Sequence, residues 1–105
     1  MIGPSHSEAL SLKHCHPVAM RLYLNGLLKI MDTADGRVRG PRRLLASQLV
    51  TEVGPVAFAG RLQRPLQFGE LGAMLDQLAD RGLIESHGDA AEMNLLMVHR
   101  APKVG

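Results

Sequence analysis

The sequence predicts an α+β domain of three helices followed by a β-hairpin, and three observations lead there. Apolar residues recur at three- and four-residue spacing in three stretches, within 17–32, 41–53 and 68–81, as they do on helices that bury one face. After Gly82 that period gives way to two short runs, Leu83-Ile84-Glu85-Ser86-His87 and Met93-Asn94-Leu95-Leu96-Met97-Val98-His99, joined by a polar turn. The chain has 105 residues, 46% hydrophobic and 21% charged, which suits one closed core and argues against a disordered chain.

The elements follow in order. Residues 1–13, MIGPSHSEALSLK, sustain no period and predict a loosely ordered arm; the single domain is then 14–99, and 100–105 a frayed tail. Pro17 stands where a helix tolerates proline, in its first turn, and Met20, Leu24, Leu27, Leu28 and Met31 follow on one face of a first helix over 17–32. Val18, Leu22 and Ile30 widen its apolar surface, which makes it central to the fold or half-covered by a second copy of the chain. Turn residues at 32–36 and at Gly40-Pro41 flank Arg37-Val38-Arg39, where a very short strand or an extended link fits.

Leu44, Leu45, Leu49, Val50 and Val53 define the second helix, with Pro41 at its first position and Gly54-Pro55 as its stop. The stretch from Gly54 to Pro65, GPVAFAGRLQRP, has no period and no assigned conformation. Leu71, Met74, Leu75 and Leu78 share one face of the third helix, over 68–81. Gly82 stands just past its end, and Leu83 is the apolar contact of a Schellman-type cap.

The segment Leu75-Asp76-Gln77-Leu78-Ala79-Asp80-Arg81-Gly82-Leu83-Ile84-Glu85 resembles the junction between the third helix and the first wing strand of winged-helix domains, Leu-x-x-Leu-x-x-x-Gly-Leu-Ile-Glu. Leu44-Leu45-Ala46-Ser47-Gln48-Leu49 is similar to the Leu-Ala-x-x-Leu core of their second helix, and Arg37-Val38-Arg39 falls where they carry a small first strand. The resemblance covers most of 17–99 and implies a winged helix-turn-helix. It also implies double-stranded DNA as partner, with the third helix in the major groove and the wing on the minor groove or backbone. The expected protein is then a small cytoplasmic transcriptional regulator or a plasmid- or phage-type accessory factor.

The residues themselves qualify that expectation. The outward face of the third helix is predicted to present Gln67, Glu70, Gly72, Ala73, Asp76, Gln77 and Asp80, three carboxylates and no cation. Duplex DNA carries one phosphate charge per roughly 1.7 Å of axis and repels such a face. The wing loop Gly88-Asp89-Ala90-Ala91-Glu92 adds two more acids. The basic residues lie elsewhere: Arg37, Arg39, Arg42 and Arg43 within seven positions, with Arg61 and Arg64 in the next loop. Arginine's planar fork suits phosphate or carboxylate, so these six are the candidate nucleic-acid or anion contacts, helped by a free helix N-terminus behind Pro41.

Charge is also divided along the chain. Residues 1–64 hold nine Lys and Arg against four Asp and Glu, a balance of +5, and residues 65–105 hold three against six, a balance of −3. An anionic partner, head-to-tail self-association and two solvated faces all fit that division. The second reading of function is therefore protein–protein recognition through the acidic third helix (Gln67, Glu70, Asp76, Gln77, Asp80), as an inhibitor, nucleic-acid mimic or assembly subunit. Surplus apolar residues on the first helix and in Leu95-Leu96-Met97-Val98 point to a homodimer.

Enzymatic chemistry finds little support. His14-Cys15-His16 could offer two ligands from one face of an extended segment, but a zinc site needs about four and no second pair is present, so neither metal nor cofactor is expected. GPRRLLAS lacks the Gly-Lys-Ser/Thr ending of a phosphate loop, and no nucleophile elbow or spaced carboxylate pair stands out. Arg21, Asn25 and Lys29 interrupt the most apolar stretch, short of the roughly 18 residues a membrane span needs. One cysteine and no signal-like N-terminus predict a reducing cytoplasm.

Overall fold

The structure, a computed structural model, describes residues 6–58, 60 and 62–101. Its elements are α1 (His6–Lys13), α2 (residues 17–30), β1 (Arg37–Pro41), α3 (Arg42–Val53), α4 (Phe68–Asp80), β2 (Ile84–Ser86) and β3 (Glu92–Met97), followed by a 3₁₀ turn at Val98–Arg100. The expected α+β class is what forms, with one antiparallel sheet in the order β1-β3-β2. Central β3 buries Met93, Leu95 and Met97 against the helices and turns Asn94 and Leu96 to the other face, the period-2 alternation of a half-covered sheet.

Helix α2 changes pitch midway: Pro17–Arg21 is α-helical, Leu22–Leu27 is π-helical and Leu28–Ile30 is α-helical again. Its buried residues, Val18, Leu22 and Gly26 beside Ala19, Tyr23 and Leu27, recur at every fourth position. An α-helix of 3.6 residues per turn would carry that stripe off the core, and the wider π turn holds it in line. Leu24, expected on the buried face, is 38% exposed for the same reason. A Cβ on Gly26 would lie 3.2 Å from Leu49 Cδ2 and 3.3 Å from Val53 Cγ2, which marks where α2 crosses α3.

The short link expected at 37–39 is a five-residue strand, paired with β3 from Arg37 opposite Leu96 to Pro41 opposite Glu92. Pro41 keeps an extended ψ of 127° as the end of that strand, so α3 starts at Arg42, one residue later than expected. The stretch after α3 is pinned by a two-way bridge: the Val56 N–H donates to the Arg64 carbonyl at 2.8 Å and the Arg64 N–H to the Val56 carbonyl at 2.9 Å. Helix α4 ends in the predicted cap. Gly82 at φ 75° donates its N–H to the Ala79 carbonyl at 3.0 Å, and the Leu83 N–H donates to the Leu78 carbonyl at 3.0 Å.

Both expected loose ends need correction within the described residues. Residues 6–13 form α1, and its Glu8 is fully buried. The Glu8 carboxylate accepts a short hydrogen bond from the Tyr23 hydroxyl and two from Arg100, Nε and Nη2 each at 3.1 Å. A charge taken out of water must be paired, and this one is paired twice, which ties the chain's start to its end. No apolar period announced α1 because its deepest anchor is an acid. Residues 1–5 and 102–105 lie outside the described ones. Among the described residues no helix is long and apolar enough to cross a membrane.

Candidate functional site

Of the six arginines expected to form one anion-binding patch, Arg37, Arg42 and Arg64 have side-chain partners within the protein. Arg37, half-buried on β1, donates from Nη1 to Asn94 Oδ1 at 2.9 Å, and its backbone N–H donates to Asp35 Oδ1 at 3.0 Å. With Arg39 it rims a hollow of about 210 Å³ shared with Asp32 and Asp35, so two acids offset two guanidinia there. Arg42 donates from Nε to the Asp89 carbonyl at 2.8 Å and from Nη2 to the Glu92 carbonyl at 3.3 Å. Its backbone N–H donates to the Ala91 carbonyl at 2.9 Å, so the hairpin loop takes the first N–H of α3.

That loop is built to receive Arg42. The Asp89 carboxylate accepts the backbone N–H groups of Glu92 at 2.8 Å and Ala91 at 2.9 Å, which hold it below the usual carboxylate range. Gly88 admits the tight turn, since a Cβ there would fall 2.2 Å from the Glu92 carbonyl oxygen.

Arg64 grips Glu70 with both Nη atoms at 2.6 Å and lies over the Phe58 ring, 5.7 Å from its centroid. The guanidinium, helped by the Gln67 N–H at 3.0 Å, pulls Glu70 from its ordinary 4.5 down to about 2. One predicted cation thus neutralises one predicted acid of the third helix. Arg61 lies outside the described residues. Arg39 and Arg43 remain, both exposed, with no side-chain hydrogen bond or ion pair to a described residue.

Helix α4 is displayed differently from the expected face. Gln67, exposed, starts the helix, and Asp76 and Asp80 are exposed as expected. Gln77 turns inward: its Oε1 accepts the His16 N–H at 2.5 Å and fastens α4 to the start of α2. The outward stripe runs through Phe68, Gly72, Asp76 and Asp80, with Gly69 and Ala73 beside it. Phe68, 61% exposed, was not singled out from the sequence, because its spacing from Leu71 and Leu75 places it at the edge of the Leu71–Leu78 face.

Between α3 and α4 lies an apolar groove of about 320 Å³. Ala46, Leu71 and Met93 are buried at its floor, Phe68 forms one lip, and Arg42 and Arg43 form the other. It continues, past Gly72 and Leu75, into a smaller hollow of about 100 Å³ beside Asp76. Arg43 lines the larger hollow and Asp76 the smaller, so an apolar slot is flanked by a cation and an acid, which suits a protein side chain and its flanking charges.

Of His14-Cys15-His16, the structure gives Cys15 and His16 roles in the fold. His16 Nδ1 accepts the Val18 N–H at 3.0 Å as the cap of α2, and its ring packs against Phe58 at 5.4 Å. Cys15 donates from Sγ to the Ser11 carbonyl at 3.4 Å, and burial pushes its thiol up against the opposing pull of Arg81. Among the described residues no three His, Cys, Asp or Glu gather into a metal-binding group. The chain matches no family model, no curated protein and no solved structure.

Proposed function

We propose that this chain is a winged-helix-type binding module that recognises protein, not duplex DNA, through the α3–α4 face. The element order α2, β1, α3, α4, β2, β3, the sheet order β1-β3-β2 and the cap at Gly82 support the winged-helix frame. The observation that carries the function is where the arginines go: Arg37, Arg42 and Arg64 bond to Asn94, the hairpin loop and Glu70, while Asp76 and Asp80 stand exposed on α4. Phosphate readers need free cations on the helix that enters the groove, and this helix offers acids and an exposed phenylalanine. An apolar slot with a charged rim instead fits a partner that buries one large side chain and sets an acid beside Arg43.

The test is fluorescence anisotropy of a labelled random-sequence duplex titrated with the protein at about 50 and about 200 mM salt. No saturable binding at either salt is expected. A second reading, a DNA-binding regulator or accessory factor, is favoured by exposed Arg39 and Arg43. It predicts binding at low salt that falls steeply at high salt and is lost in Arg39→Glu and Arg43→Glu, and that result overturns the first reading.

A further inference from the structure

Resting on that protein-recognition reading, we infer that the partner at the α3–α4 face is a second copy of this chain, docked with the two α4 helices antiparallel. Charge complementarity carries the inference. Arg43 lines the groove with Phe68, Leu71, Gly72 and Leu75, residues of the first two turns of α4. Asp76 and Asp80 stand toward its C-terminal end, exposed and without an ion pair to a described residue.

A two-fold axis passing between Gly72 and Ala73 brings residue 76 of one helix opposite residue 69 of the other, beside the second copy's Arg43. The same rotation places the first copy's Arg43 by the other Asp76, so one operation satisfies both pairs, as an isologous interface requires. Asp80 then lies off the N-terminal end of the opposite α4, where the helix dipole favours an acid. Phe68, 61% exposed on each protomer, is covered by the opposite helix and its groove. A parallel arrangement would instead stack acid on acid.

The glycines agree with a close approach from outside. A Cβ on Gly69 or Gly72 would meet nothing within 4 Å, and neither has a positive φ, so no described residue demands glycine at these helix-interior positions. Glycine costs a helix stability relative to alanine, and contact between two backbones is a use for it.

The experiment is sedimentation velocity on the full chain over about 1 to about 200 µM, the range suited to a modest interface. The wild type is expected to pass from monomer to dimer. Arg43→Glu and Asp76→Arg, each confirmed folded by circular dichroism, are expected to weaken association at least about tenfold. An equimolar mixture of the two variants is expected to dimerise again, because every facing pair then has opposite sign. A wild type that stays monomeric, a dimer indifferent to both reversals, or a mixture no tighter than the single variants overturns the inference. The DNA titration reads the parent proposal separately: a monomer that ignores DNA removes only the second copy as partner, and salt-sensitive DNA binding removes the parent reading as well.

Discussion

Glu8→Ala removes the one fully buried charged side chain among the described residues and leaves two donors without their acceptor. Tyr23 is fully buried, so its stranded hydroxyl costs about 1–3 kcal/mol. Arg100 has 26% of its side chain exposed and can turn to water, which keeps its contribution below the 3–5 kcal/mol typical of a broken buried pair. Together these give about 2–3 kcal/mol, a large share of the roughly 5–15 kcal/mol by which a domain is stable. At about 4–8 °C per kcal/mol for a chain of this size, thermal unfolding followed by circular dichroism should fall by about 10–20 °C. Glu8→Leu combined with Arg100→Met, which removes both members of the ion pair, should recover part of that loss. A shift in Glu8→Ala equivalent to less than about 0.5 kcal/mol, the range of an ordinary surface change, would refute the account of the Glu8 cluster as the clasp between the two ends of the chain.

Two further outcomes follow from the cation contacts. Arg42→Ala should free the 87–91 loop, seen as faster amide exchange at Ala91 and Glu92, and cost about 1–2 kcal/mol from the lost carbonyl contacts. Glu70 is held down at about 2 against an ordinary 4.5, so the Arg64–Glu70 pair contributes above the unfolded value and its contribution fades as pH falls from about 4.5 toward 2. A carbon-detected carboxyl titration should find that low midpoint in the wild type and a rise toward the ordinary value in Arg64→Ala.

What the sequence disclosed was local. Helix α4 and its cap were legible because the Leu71–Leu78 period and Gly82 act within a few residues of one another. Strand β1 was half-legible: turn residues located it, but its length depends on partners near residue 94, more than fifty positions away. The π turn of α2 was hidden, because its buried residues and the α-helical pattern share Leu27 and diverge at Leu24 and Leu28. Helix α1 was hidden because burial of an acid is decided by Tyr23 and Arg100, residues 15 and 92 positions on. The arginine cluster was read correctly as dense and incompletely as free, since density is local but pairing is not: Arg37 and Arg42 find their partners 57 and 47 residues away.

Those pairings account for the division of charge between the two halves of the chain only in part. Arg64 from the basic half closes on Glu70 of the acidic half, Arg42 holds the hairpin loop that carries Asp89 and Glu92, and Glu8 from the first half closes on Arg100 of the second. Of these, only Arg64–Glu70 pairs charges in the sense of that division, since Arg42 binds backbone carbonyls and Glu8–Arg100 joins an acid of the basic half to a base of the acidic half. What is left over is informative because it is small: among the arginines first singled out, exposed Arg39 and Arg43, and on α4, exposed Asp76 and Asp80. Arg39 already shares its hollow with Asp32 and Asp35. Arg43 lines the apolar groove and Asp76 the hollow that continues it, with no ion pair between them, and that pair of unmatched charges is what the proposed self-association rests on.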